Sequence, residues 1–313
     1  MGILDSTDWS GLHHAYGRAV DVPGQLAALS SPDPAARRVA VSALSGNVYH
    51  QGTRWPASAH VVAPLVTLIN SPSTPDRATV LDLLRLVAIG DLSDDQLPFD
   101  PVRAFVGVDR AGPSDEAAVI RTLFEEDDPD IEAVADVAEA VAKRWAAAAY
   151  RAAERRAPSF LVWLGDLDPA VVTRAAALTV WFPKVAGLAG ALADIPCGSD
   201  GDAGASSASS ASSASSASSA SSARASVNLA LGFLPGPPGA AELASLTACL
   251  ESGDEAVRVT AAVALARRRT AALPDAALTV LVQADDEEVA GVVPGWDRSL
   301  RGHVAIALRR LGL

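Results

Sequence analysis

Stepping 100° per residue from Asp254 puts Val257, Ala261, Ala264 and Leu265 on one helical face, with Val259 and Val263 nearly opposite. A helix that is apolar on two faces needs cover on both, as in the inner layer of a stacked array. The pattern returns further on. Asp297 to Arg301 repeats the start at Asp254 to Arg258 after an offset of 43 residues, and Val304, Ala307 and Leu308 take the places of Ala261, Ala264 and Leu265. An offset in the forties is the period of stacked helical pairs, whereas an ordinary bundle has no reason to repeat at that distance.

Earlier copies carry the same punctuation. Asp33-Pro34, Thr74-Pro75, Asp128-Pro129 and Asp168-Pro169 each join a capping oxygen to a proline at the first helical position, where its missing N–H costs nothing. Four helix starts are therefore predicted at these pairs. The interval from 168 to 254 is twice 43, which predicts a hidden copy between them, and Arg224 to Leu231 aligns with Arg258 to Leu265. Only the interval from 74 to 128 breaks the rhythm. Asp and Arg recur four residues apart at Asp33/Arg37, Asp254/Arg258 and Asp297/Arg301, and are expected to form structural pairs worth about 0.2–0.5 kcal/mol each.

Composition agrees with helices. Half the residues are apolar, aromatics make up 5%, and alanine, the best helix former, dominates. The formal net charge of −12 opposes nucleic acid, whose non-specific affinity comes from Lys and Arg on phosphates, and favours cationic partners. Cys197 and Cys249 are lone cysteines with no metal or disulfide spacing. No apolar run approaches the roughly 20 residues that span a bilayer, and a cytoplasmic location is expected. The opening Met1-Gly2-Ile3-Leu4-Asp5-Ser6 fits only the loose myristoylation pattern.

With its Asp-Pro-x-x-(x)-Arg starts and Ala-x-x-Ala-Leu ends, the chain resembles the HEAT-repeat family, in particular the short-repeat branch called PBS-lyase HEAT-like. Gly46 to Ser58, with Asp8-Trp9, Ala15-Tyr16-Gly17 and Val22-Pro23, looks like segments of bacterial HEAT-repeat proteins. The resemblance implies an all-α fold of armadillo type: an α-solenoid, or α-α superhelix, of stacked HEAT-like helical pairs over residues 1–313. It also implies that partner proteins bind on one surface. Two departures are expected. Residues 91–112, with Pro98, Pro101 and several acids, read as an irregular connection. Residues 197–223 form a low-complexity Ser/Ala insertion within one repeat; they lack large apolar side chains and are expected to be a disordered, solvated loop.

Candidate chemistry is sparse. His13, His14, His50, His60 and His303 form no metal spacing and are expected in surface or capping roles. Glu125 to Asp128 and Asp285 to Glu288 read as solvated acids at helix ends, complementing the dipole. No GxSxG, P-loop or GxGxxG occurs, so no catalytic, cofactor or metal residue is assigned. The stretch richest in hot-spot residue types is Tyr49, His50, Gln51, Arg54 and Trp55. It reads as a structural loop between helices or, more sharply, as a partner-binding patch. The function expected is a protein-protein interaction scaffold or adaptor without catalysis, its partner an unknown protein and not a membrane. A HEAT-like lyase or chaperone-type enzyme and a HEAT-like nucleic-acid-binding protein are the alternatives.

Overall fold

The computed structural model describes residues 7–197, 210–268 and 272–313, the side chains of 210–217 excepted. The chain is mostly helical, with fifteen α-helices and two short hairpins among the described residues. It divides into two compact units: Met1–Leu92 with Asp100–Arg156, and Ser93–Phe99 with Ala157–Leu313.

The first unit opens with the hairpin β1 (His13–His14) and β2 (Gly17–Arg18), then α1 (Val22–Ala28) and α2 (Pro34–Val48). A second hairpin, β3 (Tyr49–His50) and β4 (Thr53–Arg54), leads into α3 (Ser58–Asn70) and α4 (Arg77–Ile89). After α5 (Pro101–Ala104) come α6 (Pro113–Phe124) and the long α7 (Ala135–Glu154). Helix α7 packs on α3, α4 and α6, and α4 also packs on α2. Asp33 caps α2 as its sequence requires, its Oδ1 accepting from Ala35 N–H at 2.9 Å. Two predicted starts shift. Helix α4 begins after Asp76, in left-handed conformation, not at Pro75, and α7 begins at Ala135, after a 3-10 turn, well past Asp128-Pro129.

The second unit contains α8 (Pro158–Trp163), α9 (Pro169–Thr179), α10 (Leu188–Ala193) and α11 (Ser210–Phe233). It ends with α12 (Ala240–Ala248), α13 (Glu255–Arg268), α14 (Asp275–Asp286) and α15 (Leu300–Leu311). Helix α11 lies between α9 and α13, and α13 between α11 and α15. Helices α12 and α14 flank α13. Both faces of α13 are accordingly covered: Val257, Ala261, Ala264 and Leu265 are buried, and so are Val259 and Val263. The aligned Val304, Ala307 and Leu308 of α15, and Val227, Ala230 and Leu231 of the hidden copy, are buried as well. At Gly232 α11 passes close to α13: a Cβ there would lie 3.0 Å from the Ala264 Cα.

The irregular stretch 91–112 consists of two 3-10 turns and the four-residue α5. Within the Ser/Ala tract, residues 198–209 lie outside those described, as do Met1 to Ser6. From Ser210 onward the tract is helix continuous with the repeat, not the expected loop. Alanine's propensity and a covered continuation from Ala223, itself buried, account for that difference.

The recurring Asp and Arg do not pair with each other as expected. Arg37 donates to the Ser31 and Pro32 carbonyls at 2.8 and 3.1 Å and to Asp76 Oδ2 at 2.7 Å. Arg258 donates to the Ser252 and Gly253 carbonyls at 2.7 and 2.9 Å. Arg301 reaches Glu288 at 3.1 Å. In the first two copies the arginine pins the turn ahead of its own helix, while the aspartate caps the helix.

Candidate functional site

The two sequence stretches that stood apart from the repeat, around Tyr16 and around His50, lie against each other in the first unit. Each is a two-residue hairpin. In the second, Gln51 and Gly52 have φ of 47° and 82°. Positive φ at both central residues is the geometry of a type I′ turn, whose twist suits a tight hairpin. The segment is therefore a short hairpin and not a long loop.

Backbone bonds tie the first hairpin to the residues flanking the second. Ala15 N–H donates to the Asn47 carbonyl at 2.9 Å, and Ala57 N–H donates to the His13 carbonyl at 3.0 Å. His14 organises the turn from below: its Nδ1 accepts from Tyr16 N–H at 3.1 Å, and its Nε2 lies 2.9 Å from Asp21 Oδ1. With Nδ1 accepting, Nε2 is the N–H that donates a hydrogen bond to Asp21. Asp21 also takes bonds from Gln25 and Asn47, at 2.7 and 3.0 Å. His13 is buried and stacks on Phe124, ring centroids 5.2 Å apart, and burial holds its pKa below the usual histidine range. His13, His14 and His303 are thus interior groups, contrary to the surface or capping roles expected of them.

The five candidate residues separate by direction. Arg54 turns inward and donates to the Val87 and Ala88 carbonyls at 3.2 and 3.3 Å, satisfying the open end of α4. Burial lowers its pKa, and Tyr49 and Asp91 oppose the shift. Trp55 also turns inward. It stacks on Trp145 at 5.5 Å, meets Phe124 edge-on at 5.7 Å, and packs on the cluster of Ala111, Val119, Val134 and Val141. Tyr49 is half-buried; desolvation and then its bond to Asp91 push its pKa up to about 12, so it stays a neutral donor.

His50 and Gln51 remain at the surface. Gln51 is exposed at the hairpin tip. The His50 Nδ1 lies 3.2 Å from the hydroxyl of Tyr16, and the two rings meet edge-on with centroids 5.1 Å apart. Tyr16 is 66% exposed, the largest exposed aromatic in the unit. Sequence reasoning did not place Tyr16 in the site, although it noted the Ala15-Tyr16-Gly17 stretch. What joins it to His50 is a contact across 34 residues that no periodicity encodes.

The acid clusters are exposed, but they sit at the wrong helix ends for the expected dipole role. Glu125 follows the C-terminal end of α6, and Asp285 and Asp286 close α14. Neighbouring cations meet them instead: Arg18 reaches Glu125 at 3.1 Å, and Arg301 reaches Glu288. Among the described residues no group of three or more His, Cys, Asp or Glu could hold a metal, and no helix is long and apolar enough to cross a membrane. No family model matches the chain, and neither the curated proteins nor the solved structures contain a match to it.

Proposed function

We propose that this chain is a protein-interaction scaffold of α-solenoid type, built from HEAT-like helical pairs, which binds a partner protein on its paired-hairpin face and performs no catalysis. The observation that carries the reading is the exposed Tyr16–His50 pair. It is held on two hairpins, the first bonded through its backbone to Asn47 and Ala57 on either side of the second and ordered by His14 and Asp21, the second anchored to α4 by Arg54. A rigid, amphipathic aromatic beside a polar ring is the composition of a binding hot spot, and pre-organisation lowers the entropy lost on association. Arg54 and Trp55 support this face from within, and Tyr16, His50 and Gln51 supply its contacts. The row of α9, α11, α13 and α15 in the second unit supports the helical-pair reading, since each inner helix packs on the one before and the one after.

The test is affinity capture from the native host with wild type and with a Tyr16→Ala/His50→Ala/Gln51→Ala variant, both checked by circular dichroism. Proteins retained by wild type should be lost with the folded variant. Retention of the same proteins by both would dismiss the hairpin face.

A further inference from the structure

The second unit carries a groove of about 800 Å³ lined by residues at the starts of α9 and α13, the end of α10 and the middle of α11. Its floor is aliphatic, with Leu161, Val172, Ile195 and Val257. Helix α8 and the turn that follows it form one wall, and on this stretch Val162 and Leu167 are 72% and 99% exposed. A leucine left wholly in water beside an apolar groove is the kind of surface that marks an interaction site.

The rim is anionic. Asp166, Asp194 and Asp254 line the groove against one cation, Arg224. That cation is already engaged: it is 3% exposed, and its two terminal nitrogens donate to the Ile195 carbonyl and, at 2.9 Å, to Ser245 Oγ. Asp194 is exposed at the C-cap of α10, where the helix's carbonyl end adds to the negative potential. Asp254 also lines the groove and accepts from Val257 N–H with one oxygen at 3.0 Å.

We propose that this groove docks a short segment of a partner protein in which basic and aliphatic residues are interleaved. The aliphatic side chains would fill the floor between α9, α11 and α13, while Lys or Arg side chains meet Asp194 and Asp254 at the edge. An acidic segment would bring carboxylates against three others, and a purely polar one would leave the floor unfilled. This second surface lies in the other unit and stands or falls independently of the hairpin face.

A fluorescein-labelled peptide of alternating leucine and lysine is the probe, with alternating leucine and glutamate as its counterpart. Anisotropy should show the leucine–lysine peptide binding the full chain and its counterpart failing to bind. Asp194→Asn/Asp254→Asn keeps a capping side chain at 254 and should weaken binding by at least about tenfold. Glu125→Gln/Glu126→Gln removes the same charge elsewhere and should change it less than about twofold. Ala220→Trp, which fills the groove from α11, should abolish binding, and Ala191→Trp repeats the plug from α10 in case the first perturbs folding. Equal weakening by the two charge-removing pairs would mean diffuse attraction to an acidic protein and overturn the proposal. Undiminished binding by both folded plugged variants would overturn it too.

Discussion

Arg54 and Gly90 meet across the end of α4. Gly90 has φ of 73°, and a Cβ there would come within 2.7 Å of the Arg54 Nη1. Gly90→Ala therefore strains the backbone and displaces the guanidinium from the Val87 and Ala88 carbonyls, at a cost of about 1–3 kcal/mol. Urea unfolding should show a lower midpoint, and the loss should be smaller in an Arg54→Met background, where the displaced group is already gone. His303 offers a second prediction. It is 1% exposed, faces Phe233 and Trp296 edge-on at 6.2 Å, and neither ring nitrogen has a hydrogen-bond partner. Asp94 Oδ2 is 3.9 Å from Nε2, too far for a hydrogen bond, and would pair with the ring only if it were protonated. Burial, with Arg298 and Arg267 nearby, takes the His303 pKa down to about 3. The folded chain therefore keeps the ring neutral while the unfolded chain protonates it near pH 6.5. Its contribution to stability is complete above pH 6.5 and declines toward pH 3, at about 1.4 kcal/mol per pH unit over that window. His303→Phe should flatten the difference in unfolding free energy between pH 7 and pH 4.5; an unchanged slope would place the titration elsewhere. At this scale residue type was legible but direction was not. Arg54 and Trp55 have hot-spot chemistry, yet one closes a helix and the other completes a core, because each has a buried partner far away in sequence.

The repeat's helices were the most legible elements. A capping aspartate, the turn before it and an apolar face at fixed spacing are all local, so α2, α9 and α13 begin where their sequence says they should. Thr74-Pro75 carries the same cap-and-proline grammar, but α4 starts two residues later, behind Asp76, and Asp128-Pro129 is followed by a 3-10 turn before α7 begins at Ala135. Capping has a testable cost at Asp254: Asp254→Ala should lose about 0.5–2 kcal/mol in thermal or chemical unfolding, and Asp254→Asn close to nothing. Arg258, which donates to Ser252 and Gly253 rather than to Asp254, should act independently of that cap. The effects of Arg258→Met and Asp254→Ala should then add in the double variant, whereas an i, i+4 ion pair would make them overlap. The hairpins were visible as departures from the repeat, but not as hairpins: Gln51 at φ 47° is an unusual residue for the first position of a type I′ turn, where Asn or Asp is the recognisable signal.

At the scale of the whole chain, Ser93–Phe99 leaves the first unit's sequence and folds as part of the second. Nothing in the repeat period announces this, because its partners lie about two hundred residues away, and irregularity was all that 91–112 displayed. The segment is a 3-10 turn closed by Ser93 N–H on Gln96 Oε1 at 3.1 Å. Contacts to α15's approach and to Trp181 hold it. Asp94, 4% exposed, accepts from the Asp297 and Arg298 N–H groups at 3.0 and 3.1 Å. Arg298 pairs with Asp95, and Phe99 packs on Trp181 with centroids 5.7 Å apart. Asp94 thus does for the approach to α15 what Asp254 does for α13, but from a remote part of the chain: it supplies a carboxylate to backbone N–H groups just ahead of the helix. Hydrogen bonds to a charged acceptor contribute about 1.5–3 kcal/mol, and removing the acceptor leaves two N–H groups facing a buried void. Asp94→Ala should therefore lower stability by that order, with Asp94→Asn recovering part through its carbonyl oxygen. Native-state hydrogen exchange should locate the loss, with amides from Asp297 to Val304 exchanging faster in Asp94→Ala while the central amides of α9 keep their protection. Unaltered protection at Asp297 and Arg298 would show that the segment rests on Phe99 and Asp95 instead, and that Asp94 is buried there without holding α15 in place.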